Sequence, residues 1–195
     1  MNKSLYLLLL AMLSQISSPL FAGERVGDFA LIDNQGTQHH MSWYDDQNAV
    51  VILPQAIGST NEADVSFLQK LEDSYGQQGV VFFLMNPGID TDREAVTNYM
   101  ASMSADFQVL MDDAQLATEA LGITRLDEAV VYDPKSFDLV YRGPAGSELE
   151  AALKRTLDGT DDSLVTIGTQ GIRIAFTGEG VNQTPSYVAD IAPLI

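Results

Sequence analysis

The chain has 195 residues, of which 46% are hydrophobic and 19% charged, a composition typical of one globular domain and not of a disordered chain. Its formal net charge of −17 argues against nucleic acid and anionic lipid as partners, because both repel an acidic surface, and it favours cationic partners. The absence of cysteine excludes disulfides, thiolate metal sites, covalent c-type haem attachment and cysteine nucleophiles.

The first 22 residues have the pattern of a secretory signal peptide. Lys3 supplies a short basic region, residues 5–13 are apolar, and small residues lead to a cleavage site that ends at Ala22. The apolar run is too short for a membrane span, and no later stretch approaches the roughly 20 apolar residues that a span needs. We therefore expect an exported protein, periplasmic or secreted, that is cleaved near Ala22.

An N-terminal β-hairpin and a buried strand are the next predicted elements. Residues 29–32 and 37–41 flank a turn formed by Asp33, Asn34, Gln35 and Gly36, whose side chains favour such a connection. The continuous apolar run of residues 49–53 follows, which is typical of a strand buried on both faces.

Serine or threonine followed three residues later by glutamate predicts the start of three helices. These capping pairs are Ser59 with Glu62, Thr91 with Glu94, and Ser147 with Glu150. Asp113 is predicted to cap a further helix that ends at Gly122. In each case apolar residues follow at helical spacing.

Predicted strands alternate with these helices. Residues 79–85 and 107–111 are each predicted as a strand, and residues 129–132 and 139–141 as an antiparallel hairpin. This order of elements predicts an α/β fold in which helices flank a central mixed sheet.

The last part of the chain departs from this pattern. Residues 164–167 and 172–176 are predicted to pair as one more hairpin, and residues 178–185 are typical of a linker. We therefore divide the chain into a signal peptide at residues 1–22, one domain at 23–159 and a C-terminal extension at 160–195.

Six sequence fragments, in this order, resemble the redoxin family, the alkyl hydroperoxide reductase and thiol-specific antioxidant group of the thioredoxin superfamily. They lie at residues 27–36, 50–53, 79–82, 109–112, 121–124 and 141–143. The resemblance implies a thioredoxin-like fold with a central mixed sheet flanked by helices, an N-terminal β-hairpin and a C-terminal extension. It also implies a family activity, thiol oxidoreduction or peroxide reduction, that a cysteine-free chain has no thiol to perform.

The likeness is greatest to the redoxin domain of exported proteins that continue into a c-type haem domain. Residues 185–195 resemble the start of such a haem domain, yet no C-x-x-C-H motif follows them. We expect either a shortened relative or the remnant of a longer redoxin and haem protein.

The resemblance places the family's reactive cysteine at about Ser59. A serine hydroxyl ionises far above the range that a helix N-terminus can correct, so Ser59 is predicted to act as a helix cap and not as a nucleophile. The proline that the family holds in cis opposite its active site should follow Thr124, but Leu126 and Asp127 stand there. Thr60 and Arg125 complete the candidate binding residues, Arg125 as a guanidinium for an anion near Ser59 or as a solvated loop residue.

Neither a metal nor a cofactor is predicted. His39 and His40 are adjacent on an extended segment, so their rings point to opposite faces and cannot chelate one ion unaided. The acidic residues do not follow the spacing of a calcium-binding loop.

We expect a non-catalytic module that binds a protein or a ligand through the surface where the family's active site lies. One alternative is an antioxidant or oxidoreductase that works without its own thiol or with a partner's. A second alternative is a truncated remnant without a separate role. An exported redox protein or cytochrome is the expected kind of partner, and the sequence predicts no oligomeric state.

Overall fold

The computed structural model describes residues 24–88, 91–103, 106–160 and 163–177. The predicted signal peptide with its cleavage site at Ala22, the linker-like segment from residue 178 and the haem-domain-like residues 185–195 lie outside these ranges. Within them, no helix is both long enough and apolar enough to cross a membrane.

One mixed β-sheet contains all nine strands of the described residues. The strands are β1 (Glu24–Arg25), β2 (Ala30–Asp33), β3 (Gln38–His40), β4 (Ala49–Pro54), β5 (Val80–Asn86), β6 (Val109–Met111), β7 (Glu128–Asp133), β8 (Asp138–Pro144) and β9 (Val165–Thr166). Their order is β1-β8-β7-β4-β5-β6-β2-β3, with β9 against β8. The β4-β5, β5-β6 and β8-β9 pairs are parallel and the others antiparallel. The predicted mixed sheet and N-terminal hairpin, β2 with β3, are confirmed.

Four α-helices flank this sheet in the described part of the chain: α1 (Glu62–Tyr75), α2 (Arg93–Ser102), α3 (Leu116–Ala120) and α4 (Ser147–Asp158). Two short 3-10 helices lie at Met41–Tyr44 and Gly76–Gln78. The alternation of side chains along β4 separates the core into two layers. Val51 and Leu53 face the layer that contains α1, α2 and α4, whereas Val50 and Ile52 face the layer of α3. Burial on both faces explains why β4 is an uninterrupted apolar run.

The predicted start of α1 at Ser59 is wrong. Asn61 caps the helix, and its side-chain oxygen accepts a hydrogen bond of 3.1 Å from the backbone N–H of Ala63. Ser59 lies in the preceding turn, where its own N–H donates to the carbonyl of Ala56. Because residues 56–60 form this turn, the cap of α1 lies two residues later than the capping pair predicts.

The caps predicted for the other helices are also wrong in detail. Asp92 and Gly146 occupy the N-cap positions of α2 and α4 in place of Thr91 and Ser147, and neither makes a side-chain cap bond. At α3 Gln115 occupies the N-cap position in place of Asp113, and the buried carboxylate of Asp112 accepts from the backbone N–H and hydroxyl of Thr118. Short side-chain motifs predict that a helix begins, but competing acceptors nearby decide which residue caps it.

The C-terminal extension does not form the predicted hairpin. β9 pairs with β8 in parallel, and residues 172–174 run antiparallel to residues 124–126. Ile174 thereby buries its side chain in the core layer that also contains Leu126. That apolar burial favours pairing with the body of the protein over an isolated hairpin.

Candidate functional site

A cavity of about 310 Å³ lies between the turn that follows β4 and the loop that precedes β7. Its walls are formed by Gln55, Ser59, Thr60 and Asn61 on one side and by Leu126, Asp127, Gly171 and Ile172 on the other. The structure thus brings together Ser59, Thr60, Leu126 and Asp127, the residues singled out from the sequence. Whether they bind anything stays a prediction.

Ser59 has no visible means of activation at this cavity. The described residues that line it include no histidine and no lysine. A serine without an adjacent base remains a neutral alcohol at ordinary pH. The hydroxyl of Thr60 is used internally, since it donates to the carbonyl of Ala56 over 3.1 Å. The two hydroxyls therefore contribute polar groups to the cavity wall.

Gln55 is a site residue that the sequence reasoning missed. Its Oε1 accepts a 3.1 Å hydrogen bond from the backbone N–H of Asn61, which fixes the orientation of the amide. Its Nε2 is buried and has no acceptor among the described residues. A polar residue directly after the buried strand β4 was the signal available in the sequence.

Asp127 presents the opposite chemistry on the facing wall. Its Oδ1 is buried and has no donor within the described part of the chain. A buried polar atom without a partner costs about 1–3 kcal/mol. The residues that line the cavity thus carry one unused donor, on Gln55, and one unused acceptor, on Asp127, and the protein encloses both of these atoms. Such a pair is complementary to a group that carries both an acceptor and a donor, as an amide does.

A second carboxylate makes the electrostatics near the cavity acidic. Burial, and then the charge of Asp127, raise the pKa of Asp64 above its usual range, although a hydrogen bond from Asn61 opposes the shift. The coupling between Asp64 and Asp127 indicates that this part of the surface carries negative charge and favours neutral or cationic groups.

Arg125 contacts the C-terminal extension. Its Nη1 donates a 2.6 Å hydrogen bond to the carbonyl of Gly171, so it contacts the C-terminal extension, and it is not among the cavity residues. Arg125 is half-buried and bonded to the extension, so it is not a fully solvated loop residue, and an anion-binding role for its guanidinium stays a prediction. The sequence offered no signal for this contact because Gly171 is remote along the chain.

The loop that would hold the family's cis proline has ordinary trans geometry here. No cis peptide bond occurs in the described residues. Leu126 is buried, and its backbone N–H donates over 3.0 Å to the carbonyl of Ile172. The backbone edge of this loop is therefore already paired.

The two histidines lie on the N-terminal hairpin, as predicted, and face opposite ways. His39 is buried, with Nε2 3.0 Å from Asp33 Oδ2 and Nδ1 2.6 Å from the hydroxyl of Tyr44. His40 packs against the ring of Trp43. Burial works against ionisation of Asp33, but hydrogen bonds from His39 and two backbone amides outweigh it and lower the pKa of Asp33. Within the described ranges, no three His, Asp or Glu side chains are grouped so that they could hold a metal ion.

Comparison with known proteins relates the chain to others through its structure. No family model matches the sequence, and no curated protein matches it either. A hypothetical protein from Sinorhizobium meliloti 1021 superposes with a TM-score of 0.64 at 22% identity, over 80% of this chain and 94% of that one.

Two redox proteins show the same likeness. A thiol-disulfide oxidoreductase from Bacteroides fragilis NCTC 9343 has a TM-score of 0.58 at 17% identity, covering 68% of this chain and 98% of its own. Peroxidoxin BcpB from Mycobacterium tuberculosis has a TM-score of 0.56 at 15% identity, covering 72% and 97%. At such identities the likeness concerns the backbone and not the activity. With its mixed sheet, its flanking helices and these neighbours, the chain has a thioredoxin-like fold.

Proposed function

We propose that this protein is a non-catalytic binding module of the thioredoxin-like fold, and that its cavity between Gln55 and Asp127 binds an amide-bearing ligand such as a peptide. The observation that carries the proposal is the pair of buried, unpartnered atoms, Gln55 Nε2 and Asp127 Oδ1, on side chains that line one cavity. Each atom is costly to bury alone, and an amide group carries both the acceptor that Gln55 Nε2 lacks and the donor that Asp127 Oδ1 lacks.

The absence of thiol chemistry supports a binding role over an enzymatic one. The chain has no cysteine, and the residues that line the cavity beside Ser59 include no histidine and no lysine. A peroxidase assay with hydrogen peroxide and a thiol reductant should therefore show no turnover above the blank. Turnover that disappears in Ser59→Ala would instead support the family's oxidoreductase activity.

Charge and location complete the proposal. Removal of residues 1–22, which contain Lys3 and no acidic residue, would change the formal net charge from −17 to −18. An exported protein of this charge, periplasmic or secreted, attracts cationic partners through long-range electrostatics. A basic redox protein or cytochrome that presents a peptide segment fits both the acidic surface and the cavity.

The binding proposal is tested with N-acetylglycinamide, a small probe with amide donors and acceptors. We expect a titration followed by ¹H-¹⁵N NMR to shift the signals of cavity residues, and Asp127→Ala to weaken binding by about tenfold or more, because hydrogen bonds to charged groups contribute about 1.5–3 kcal/mol. Asp45→Ala makes the same charge change at an exposed site and serves as the control. Equal affinity in Asp127→Ala and the wild type, or no shifts at the cavity, would contradict the proposal.

A further inference from the structure

Residues 171–177, here called the strap, occupy the backbone edge of the loop at residues 124–126. The N–H of Leu126 donates to the carbonyl of Ile172 over 3.0 Å, and the N–H of Ile174 donates to the carbonyl of Thr124 over 2.9 Å. This is the pairing of a short antiparallel strand. The chain thus supplies its own extended segment to an edge beside the cavity.

Side chains of the body hold the strap at both ends. Arg125 donates to the carbonyl of Gly171. At the other end the buried amide of Gln115 donates to the carbonyl of Ala175 over 3.0 Å and accepts from the N–H and hydroxyl of Thr177. Gln115 does so with a φ of +58°, a left-handed conformation that is uncommon for a residue other than glycine. Such a conformation persists only where its surroundings favour it.

The strap also fits its seat sterically. A Cβ atom at position 171 would collide with the carboxylate of Asp127, so a larger residue there would have to displace that side chain. Ile174, 5% exposed, inserts into the core layer of α3. Gly171 and Ile172 form part of the wall of the 310 Å³ cavity, and Ile174 lines a neighbouring cavity of about 260 Å³. The strap therefore forms part of the wall of both cavities.

Burial within the strap is sparse. Ile174 is its one fully buried side chain, Phe176 is half-buried, and Ile172 is 57% exposed. Segments with few buried apolar contacts open locally at lower free energy than the core does. The strap thus makes specific hydrogen bonds but buries little apolar surface, and both are expected of a segment that can detach.

We propose that the strap is an intramolecular occupant that closes the binding site in cis and is displaced when an extended peptide takes its place. This inference rests on the proposed function, since it regulates access to the same cavity. A competing peptide would pair with residues 124–126, place a glycine against Asp127 and place an aliphatic side chain in the Ile174 position. Apparent affinity for such a peptide is reduced by the fraction of molecules whose strap is closed.

The test uses a fluorescent, acetylated and amidated peptide with the sequence of residues 169–177. We expect the full-length wild type to bind it weakly, and Ile174→Ala to bind it about tenfold or more tightly, because the peptide then competes with a weakened strap. Ile32→Ala, the same truncation at a 47% exposed site on β2, should behave like the wild type. The same peptide carrying Ile174→Asp should not bind.

Gly171→Ala is a second way to weaken the strap, at a position outside the apolar core. If Ile174→Ala does not fold, Gly171→Ala should still bind the peptide more tightly than the wild type does. Failure of a folded variant of either kind to gain affinity would overturn the inference. So would hydrogen exchange of the Ile174 amide at the same rate as that of a core amide such as Val51.

The peptide assay is independent of the N-acetylglycinamide titration. Peptide binding by Ile174→Ala without binding of N-acetylglycinamide would support the strap and contradict the amide-binding cavity. Binding of N-acetylglycinamide without any gain in peptide affinity would do the reverse.

Discussion

The change in unfolding free energy caused by Ile174→Ala distinguishes a strap that opens by itself from a segment that is an integral part of the core. When a buried isoleucine belongs to a part of the protein that unfolds together with the whole domain, its change to alanine lowers the unfolding free energy by about 2–5 kcal/mol. Ile123, 0% exposed, lies in the same core layer as Ile174, 5% exposed, and provides the matched control. Ile123→Ala should show this full loss.

Ile174→Ala lowers the unfolding free energy by less than this full amount if the strap opens by itself. Once the strap opens more readily than the domain unfolds, further weakening of its contacts no longer lowers the stability of the remaining structure. Burial of Ile174 and part of Phe176 contributes about 3–4 kcal/mol, and six hydrogen bonds contribute about 1 kcal/mol each. Ordering seven residues opposes this by about 7–14 kcal/mol. The closed strap is thus favoured by at most a few kcal/mol.

We therefore expect Ile174→Ala to lower the unfolding free energy by about 1–2 kcal/mol, clearly less than Ile123→Ala. Urea denaturation followed by circular dichroism provides both values, and the denaturant dependence of the Ile174→Ala variant should decrease because less surface remains to be exposed. Equal losses in the two variants, with unchanged denaturant dependence, would refute the reasoning and make the strap an integral part of the fold.

Three further predictions follow from the described contacts. The pKa of Asp33 lies below its ordinary value of 3.8, so the unfolded state binds more protons at acid pH. The stability that this ionised carboxylate contributes is present above about pH 4 and is lost as the pH falls through the folded pKa. Asp33→Asn should therefore make the unfolding free energy depend less on pH between about pH 2 and 6, and an unchanged slope would contradict this. Asp112→Ala should destabilise the protein by about 2–4 kcal/mol in urea denaturation, because it removes a buried carboxylate that accepts three hydrogen bonds at the start of α3. Asp113→Ala should cost less, and the opposite order would make Asp113 the capping residue, as the sequence predicts. Asn61→Ala should lower the unfolding free energy by about 1 kcal/mol in the same measurement, and Ser59→Ala should lower it by less. A larger loss in Ser59→Ala would show that Ser59 caps α1.

The sequence predicted which residues of the candidate site lie together. The resemblance placed the family's reactive position at Ser59 and its cis-proline position at Leu126 and Asp127, and the structure brings these residues to one cavity. That juxtaposition follows from the order of strands in the fold, which short fragments in sequence order were sufficient to indicate.

Exact partners within the site were not predictable in the same way. Gln55 accepts a hydrogen bond from the N–H of Asn61, and Arg125 donates one to the carbonyl of Gly171, because each polar group bonds the nearest suitable partner in space. Local motifs such as the Ser59 and Glu62 pair describe only the few residues around them. They therefore predicted that α1 begins there but missed the residue that caps it.

The sequence by itself determined the chemistry that is impossible and the order of the elements. A chain without cysteine has no thiol in any fold, and the uninterrupted apolar run of β4 requires burial on both faces whatever surrounds it. Only the tertiary structure decided where the C-terminal extension lies. Residues 164–167 and 172–176 have strand-forming side chains but no local signal that names a partner, and the pairing with β8 and with residues 124–126 arose from free backbone edges and from the core position that accepts Ile174.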